Sequence, residues 1–181
     1  MKKAILIAMT GAILCSLALV GCASSPTLDK QVKVGAMTLK VPSKWAETQN
    51  DNESNSLGTY LTYQVSPEDK SGSILVSGMN WKSSMKETIQ SEYQESEDTL
   101  KKTMSDAGLS ISDYQSNLTE KGVIDGYQVA LQEESYKLKK SDDSVVDMDE
   151  KTLYLFSASM RYRIYISGVD PDALLKTISF D

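Results

Sequence analysis

The sequence predicts an α+β fold: an antiparallel sheet of about six to seven strands, with one long helix and one short C-terminal helix packed on its faces. Three observations lead there. Several segments alternate apolar and polar residues with the period of a half-buried strand, most clearly Met160, Tyr162, Ile164 and Ile166 against Arg161, Arg163 and Tyr165. One segment instead repeats apolar residues at steps of three and four: Met85, Ile89, Tyr93, Leu100, Met104 and Ala107. Turn residues, above all Asp125-Gly126 and the run 66–72, separate strands closely enough for antiparallel hairpins.

The chain begins with a targeting pattern. Lys2 and Lys3 form a positive n-region, and residues 4–20 are apolar except for Thr10 and Ser16. That charge-then-apolar order is the order of a secretory signal. The run is short for a bilayer core, which needs about 20 apolar residues, and no cluster of positive charges follows it to stop transfer. Residues 23–31 (Ser24, Ser25, Pro26, Thr27, Asp29, Lys30) read as a flexible tether. The expected organisation is a signal peptide over 1–21, a tether over 22–34 and a single domain over 35–181.

Within the domain, Met37, Leu39 and Val41 alternate with Thr38 and Lys40 as a strand that Pro42 ends, and Trp45 folds back over the core edge. Residues 49–56 read as a polar loop. Residues 57–65 and 73–80 read as paired strands, the second apolar enough (Ile74, Leu75, Val76) to be buried on both faces. Ser84 and Glu87 fit a capping box opening the amphipathic helix, and Gly108 sits where its C-terminal cap belongs. The polar stretch 94–99 is a place for that helix to break. Residues 111–123, 127–138, 145–158 and 160–167 read as strands. Asp170-Pro171 then opens a short helix carrying Leu174, Leu175 and Ile178 to the end.

Two resemblances rest on particular residues. Leu19-Val20-Gly21-Cys22 resembles the lipobox of bacterial lipoproteins. It implies a lipid thioether on Cys22, cleavage before it, and fatty acylation (palmitate-type chains) strong enough for stable anchoring once two chains are present. Ala23 stands where an Asp retains some lipoproteins at an inner membrane, which favours the outer membrane if the cell has two. The stretch Gly35-Ala-Met37-Thr-Leu39-Lys-Val41-Pro42-Ser-Lys-Trp45, the strand Tyr162-Arg-Ile164-Tyr-Ile166 and the segment from Leu174 to Phe180 resemble the PsbP-like (Mog/PsbP) fold family. That family spans photosystem accessory proteins, a nuclear transport factor and bacterial lipoproteins, so it implies a fold and transfers no functional residue.

Composition narrows the chemistry. Of 181 residues, 160 remain without 1–21, and without Lys2 and Lys3, 17 of the 19 basic residues face 25 acidic ones, a net charge of −8. No basic stripe points to nucleic acid. With no His, and Cys22 the only cysteine past Cys15, histidine–nucleophile pairs and His or thiolate metal sites lack their residues. No cofactor is implied. Asp142, Asp143, Asp147, Asp149 and Glu150 offer oxygen ligands to calcium, against the reading of a solvated hairpin tip. Trp45, Trp81, Tyr154 and Tyr165, with Tyr162, offer a peptide or glycan groove, against the reading of core and cross-strand aromatics. The function expected is a lipid-anchored, extracytoplasmic, non-catalytic binding or assembly module with a protein partner in the cell envelope. The alternatives are a small-ligand or calcium-binding lipoprotein and, third, a hydrolase.

Overall fold

The computed structural model describes residues 25–54, 58–81, 89–140 and 142–181, with the side chains of residues 81 and 89–97 outside that description. The chain is β-rich, which corrects the expected α+β class. Its described strands are β1 (Lys30–Val34), β2 (Met37–Val41), β3 (Ala46–Ser54), β4 (Gly58–Ser66), β5 (Ser73–Trp81), β6 (Ser110–Ile124), β7 (Tyr127–Lys139), β8 (Val145–Phe156), β9 (Met160–Ser167) and β10 (Ser179–Phe180). Helix is confined, among the described residues, to α1 (Ile89–Asp106) and α2 (Pro171–Leu175). No described helix is long and apolar enough to cross a membrane.

The strands form two sheets. A seven-stranded antiparallel sheet runs β3-β4-β5-β9-β8-β7-β6, and a three-stranded sheet runs β1-β2-β10. Three local differences produce the change of class. Residues 30–34, inside the stretch assigned to the tether, pair with β2 from Lys30↔Val41 to Val34↔Met37. The polar stretch read as a loop is edge strand β3, paired from Ala46↔Ser66 to Ser54↔Thr59. The C-terminal helix stops at Leu175, and the chain then adds β10 to β2. Periodicity is weak in all three: Ala46–Ser54 is polar, Ser179–Phe180 is two residues long, and in Lys30–Val34 only Val32 and Val34 alternate with Lys33.

The inner face of the large sheet and the small sheet share one core. Leu61, Tyr63 and Val65 of β4, Ile74 and Val76 of β5, Tyr162, Ile164 and Ile166 of β9, Leu153 and Leu155 of β8, and Val129 and Leu131 of β7 meet Val34, Met37, Leu39 and Val41. The alternation of each strand sends these residues to one side. Leu174 of α2 is fully buried in the same cluster. Asp170 accepts a hydrogen bond from the Ala173 amide at 2.9 Å and Pro171 opens the first turn, the expected N-terminus. A second cluster joins α1 to the far end of the sheet, with Leu100 and Met104 against Tyr136, Leu138 and Met148. The described part of α1 is continuous through 94–99, where a break was expected, and the capping box at Ser84 and Glu87 lies outside the described residues.

Where the two sheets close, the C-terminus acts as a clasp. The Phe180 ring stacks on Tyr127 with centroids 3.7 Å apart, and Tyr162 lies 5.8 Å from it. The Ala36 amide donates to the Tyr162 hydroxyl at 3.2 Å, and the Asp181 amide donates to the Ala36 carbonyl at 3.1 Å. The β1–β2 turn can come this close only because its first residue is Gly35. Its φ is +62°, and a Cβ there would lie 2.5 Å from Leu61 Cδ1 and 2.9 Å from the Tyr162 hydroxyl.

Gly35→Ala is therefore expected to cost about 2–4 kcal/mol, the left-handed strain and the overpacking together. Gly108→Ala, with φ +73° but open space around it, is expected to cost about 1 kcal/mol. Urea unfolding of both variants checks this, and equal losses would contradict the close-approach account.

Candidate functional site

The outer face of the large sheet carries a buried row of polar side chains, built by the β6–β7–β8 register. Asp125 (φ 48°) and Gly126 (φ 85°) make the two-residue turn that sets Ile124 opposite Tyr127. At the other end, the turn over 140–144 sets Lys139 opposite Val145. Counting back from the second turn sets Glu134 beside Glu150 and Gln132 beside Thr152. On β6 the bulge between Glu120 and Gly122 slips the count by one residue, which sets Ser116 beside Glu134 and Leu118 beside Gln132. Paired residues on one face hold their Cβ atoms about 4.5–5.5 Å apart, so Glu134 and Glu150 are direct neighbours.

These groups are bonded to one another. The Tyr114 hydroxyl donates to Glu134 Oε1, and the Tyr136 hydroxyl donates to Glu150 Oε1 at 2.8 Å. The Tyr154 hydroxyl donates to Gln132 Oε1, and Gln132 Nε2 donates to Ser116 Oγ at 3.2 Å. Gln132 is fully buried and Glu134 is 7% exposed. The Tyr114 and Tyr136 rings lie 6.3 Å apart, and the Lys101 ammonium of α1 sits 5.3 Å from the Tyr114 centroid.

Burial dominates the electrostatics here. It raises the Glu150 carboxyl to about 7; the Tyr136 hydrogen bond works against that rise and the Glu134 carboxylate adds to it. Burial likewise pushes the Tyr136 hydroxyl far above its usual range, with Glu150 and Glu134 adding to the rise. The pair therefore holds a proton near neutral pH. It is a proton-binding element, already bonded internally.

The acidic residues proposed for calcium are dispersed. Asp142 turns inward on its own hairpin, accepting from the Ser144 amide at 3.0 Å and the Ser144 hydroxyl at 2.5 Å, and those bonds hold its carboxyl below the usual range. Asp143, at φ 62°, pairs with Lys139 at 2.7 Å. Asp147 stands opposite Lys137 and Asp149 opposite Ser135, both on the inner-face side of β8 beyond the small sheet and exposed. Among the described residues no group of three or more acidic, His or Cys side chains is placed to hold a metal ion.

The aromatic residues are also divided. Trp45 is buried in the inter-sheet core, where a Cβ on Gly72 would lie 2.9 Å from its ring. Tyr162 belongs to the same core. Tyr154 is buried on the opposite face, and Tyr165, on that face too, is half-buried in the row of Thr152. Trp81 ends β5, its side chain outside the described residues. Cys22 and residues 1–21 lie outside them as well.

Beyond the small sheet no described residue covers the inner face, which is shallowly concave. Two adjoining depressions of about 680 and 540 Å³ lie between β6, β7 and β8, crossed by the ion pairs Lys137–Asp113 (2.7 Å) and Lys151–Glu133 (3.5 Å). Compared with family models and with curated proteins, the chain finds no match in either.

Sequence reasoning did not single out Glu134 and Gln132. The available signal was the hairpin count: once the turn lies at 140–144, Glu134 must oppose Glu150.

The raised Glu150 carboxyl makes stability depend on pH. The native state keeps this proton between pH 4.5 and about 7, where the unfolded chain has released it. This contribution is complete below about pH 4.5 and is lost as pH rises through about 7. It amounts to roughly 3 kcal/mol at most. Thermal melts between pH 5 and 8 should show the wild type losing stability and Glu150→Gln losing much less. An unchanged slope in that variant would contradict the assignment.

Proposed function

We propose that this chain is a lipoprotein, anchored through Cys22 on the extracytoplasmic side of a membrane, whose β domain serves as a non-catalytic binding or assembly module for a protein of the cell envelope. The observation that carries the reading is the order at the N-terminus: Lys2-Lys3, the apolar run 4–20, then Leu19-Val20-Gly21-Cys22. The described fold supports it. The first strand starts at Lys30, and Leu28 and Asp29 already contact the domain, so the proposed link between lipid and domain is at most residues 22–27, roughly 13 Å of mean span. A mature charge of −8 gives the domain no electrostatic attraction to anionic lipid, so the acyl chains supply the attachment.

The non-catalytic part of the reading draws on residue types and on enclosure. The chain has no His, and Cys22 is spent on the anchor. The buried pair Glu134 and Glu150 each accepts a hydrogen bond from a neighbouring tyrosine.

Metabolic labelling with a palmitate analogue tests the anchor. The wild type should take up label, whereas Cys22→Ser should take up none and persist at precursor mass, with an unchanged melting curve for the domain. Label on Cys22→Ser, or none on the wild type, would remove the basis of the proposal. Affinity purification of the wild type from detergent-solubilised membranes should then recover a stoichiometric envelope protein.

A further inference from the structure

The two edges of the seven-stranded sheet are finished differently. The β6 edge is broken twice, by register shifts between Ser112 and Gln115 and between Glu120 and Gly122. Asp113 (φ 54°) and Gly122 (φ 97°) take left-handed conformations at those breaks. A side chain also leaves this edge for another element, Lys121 to Asp172 at 2.9 Å. Bulges and charges of this kind are how proteins prevent a strand edge from recruiting another chain.

The β3 edge lacks most of these devices. Its one register shift lies near the start, between Glu47 and Gln49, and from Gln49 to Ser54 the pairing with β4 is regular. The strand is exposed almost throughout, and no described strand pairs with its outer side. It contains neither Lys nor Pro. Its charges are all negative: Glu47, Asp51 and Glu53. Gln49 Nε2 donates to Asp51 at 2.7 Å and Asn50 Nδ2 donates to Glu47 at 3.0 Å, which orients those carboxylates without neutralising them. Asp51 and Glu53 pair with Thr62 and Tyr60, so both stand on the outer face, two residues apart.

We propose that the outer edge of β3 is a docking edge for an extended segment of a partner protein bearing Lys or Arg at alternate positions, which adds to the sheet as an eighth strand. The backbone supplies a row of unpaired donors and acceptors over the regular stretch. The carboxylates choose the partner, since opposite charges across an antiparallel pair attract and like charges repel. The same rule disfavours a second copy of this chain: antiparallel β3–β3 pairing centred on Asp51 sets the two Asp51 carboxylates opposite each other, and pairing centred on Asn52 sets Asp51 opposite Glu53. The inference rests on the binding-module reading and specifies its surface.

The test uses the full chain purified in detergent and two synthetic nine-residue peptides, one alternating Lys with Val and Thr, the other with Glu in place of Lys. Nitrogen–proton NMR and amide exchange report the contact. The Lys peptide should shift and protect β3 amides, more weakly at high salt, and the Glu peptide should not. The triple variant Glu47→Lys, Asp51→Lys and Glu53→Lys keeps the backbone and should weaken the Lys peptide at least about tenfold, while gaining affinity for the Glu peptide. Asp51→Pro and Asn52→Pro form a second arm: neighbouring amides of an edge strand point to opposite sides, so one of the two should keep its melting midpoint and lose the peptide. No β3 perturbation by the Lys peptide, equal response to both peptides, or a β3-paired dimer would overturn the proposal. If the membrane purification still recovers its partner with the triple variant, the docking edge is wrong while the module reading stands.

Discussion

The large sheet has two faces, and each must be kept from water or made polar; most of the structure follows from how that is done. Alternate residues of β7 and β8 divide between the two solutions. Val129, Leu131, Leu153 and Leu155 enter the core under the small sheet. Gln132, Glu134, Thr152 and Tyr154 turn the other way and are buried as a hydrogen-bonded set. Covering the inner face needs β1, β2 and β10 together, so the two ends of the domain are tied at one place, where Phe180 stacks on Tyr127 and the Gly35 turn meets Tyr162. Apolar burial supplies the free energy of that closure, and the glycine sets how near the sheets come.

The buried row is the costlier solution. Two neighbouring carboxylates repel and resist ionisation, and here burial together with the Glu134 charge keeps Glu150 protonated up to about pH 7. Tyr114 and Tyr136 each donate to one oxygen, Oε1 of Glu134 and Oε1 of Glu150. Such a set rigidifies the β6–β7–β8 end when every member is bonded, and removing one member leaves a buried polar group without its bond. The domain thus combines an apolar core that stabilises it with a polar face that ties stability to pH.

Strongly periodic elements were legible in the sequence. β2, β4, β7, β8 and β9 lie where alternation put them and β5 where its apolar run did, and the Asp125-Gly126 turn and the Asp170-Pro171 start are as their residue types dictate. The fold class was not legible, because it turns on three segments whose hydrophobic signature is weak or very short: Lys30–Val34, with only Val32 and Val34 alternating, the polar Ala46–Ser54, and the two-residue Ser179–Phe180. Each becomes a strand through backbone pairing to a neighbour, an interaction that composition does not reveal. The calcium and aromatic groupings fail for a related reason. Nearness in sequence put Asp142, Asp143, Asp147 and Asp149 together, and residue type put Trp45 with Tyr154 and Tyr165. Hairpin geometry and strand alternation then separated them.

The proposed role has the β domain working at a membrane surface through lipid attachment at Cys22. The most direct measurement is the intact mass, with N-terminal fragmentation, of wild-type protein extracted from membranes. The account predicts a chain beginning at Cys22 and carrying the added mass of a diacylglyceryl group. A chain that retains residues 1–21, or a Cys22 without lipid, would contradict it.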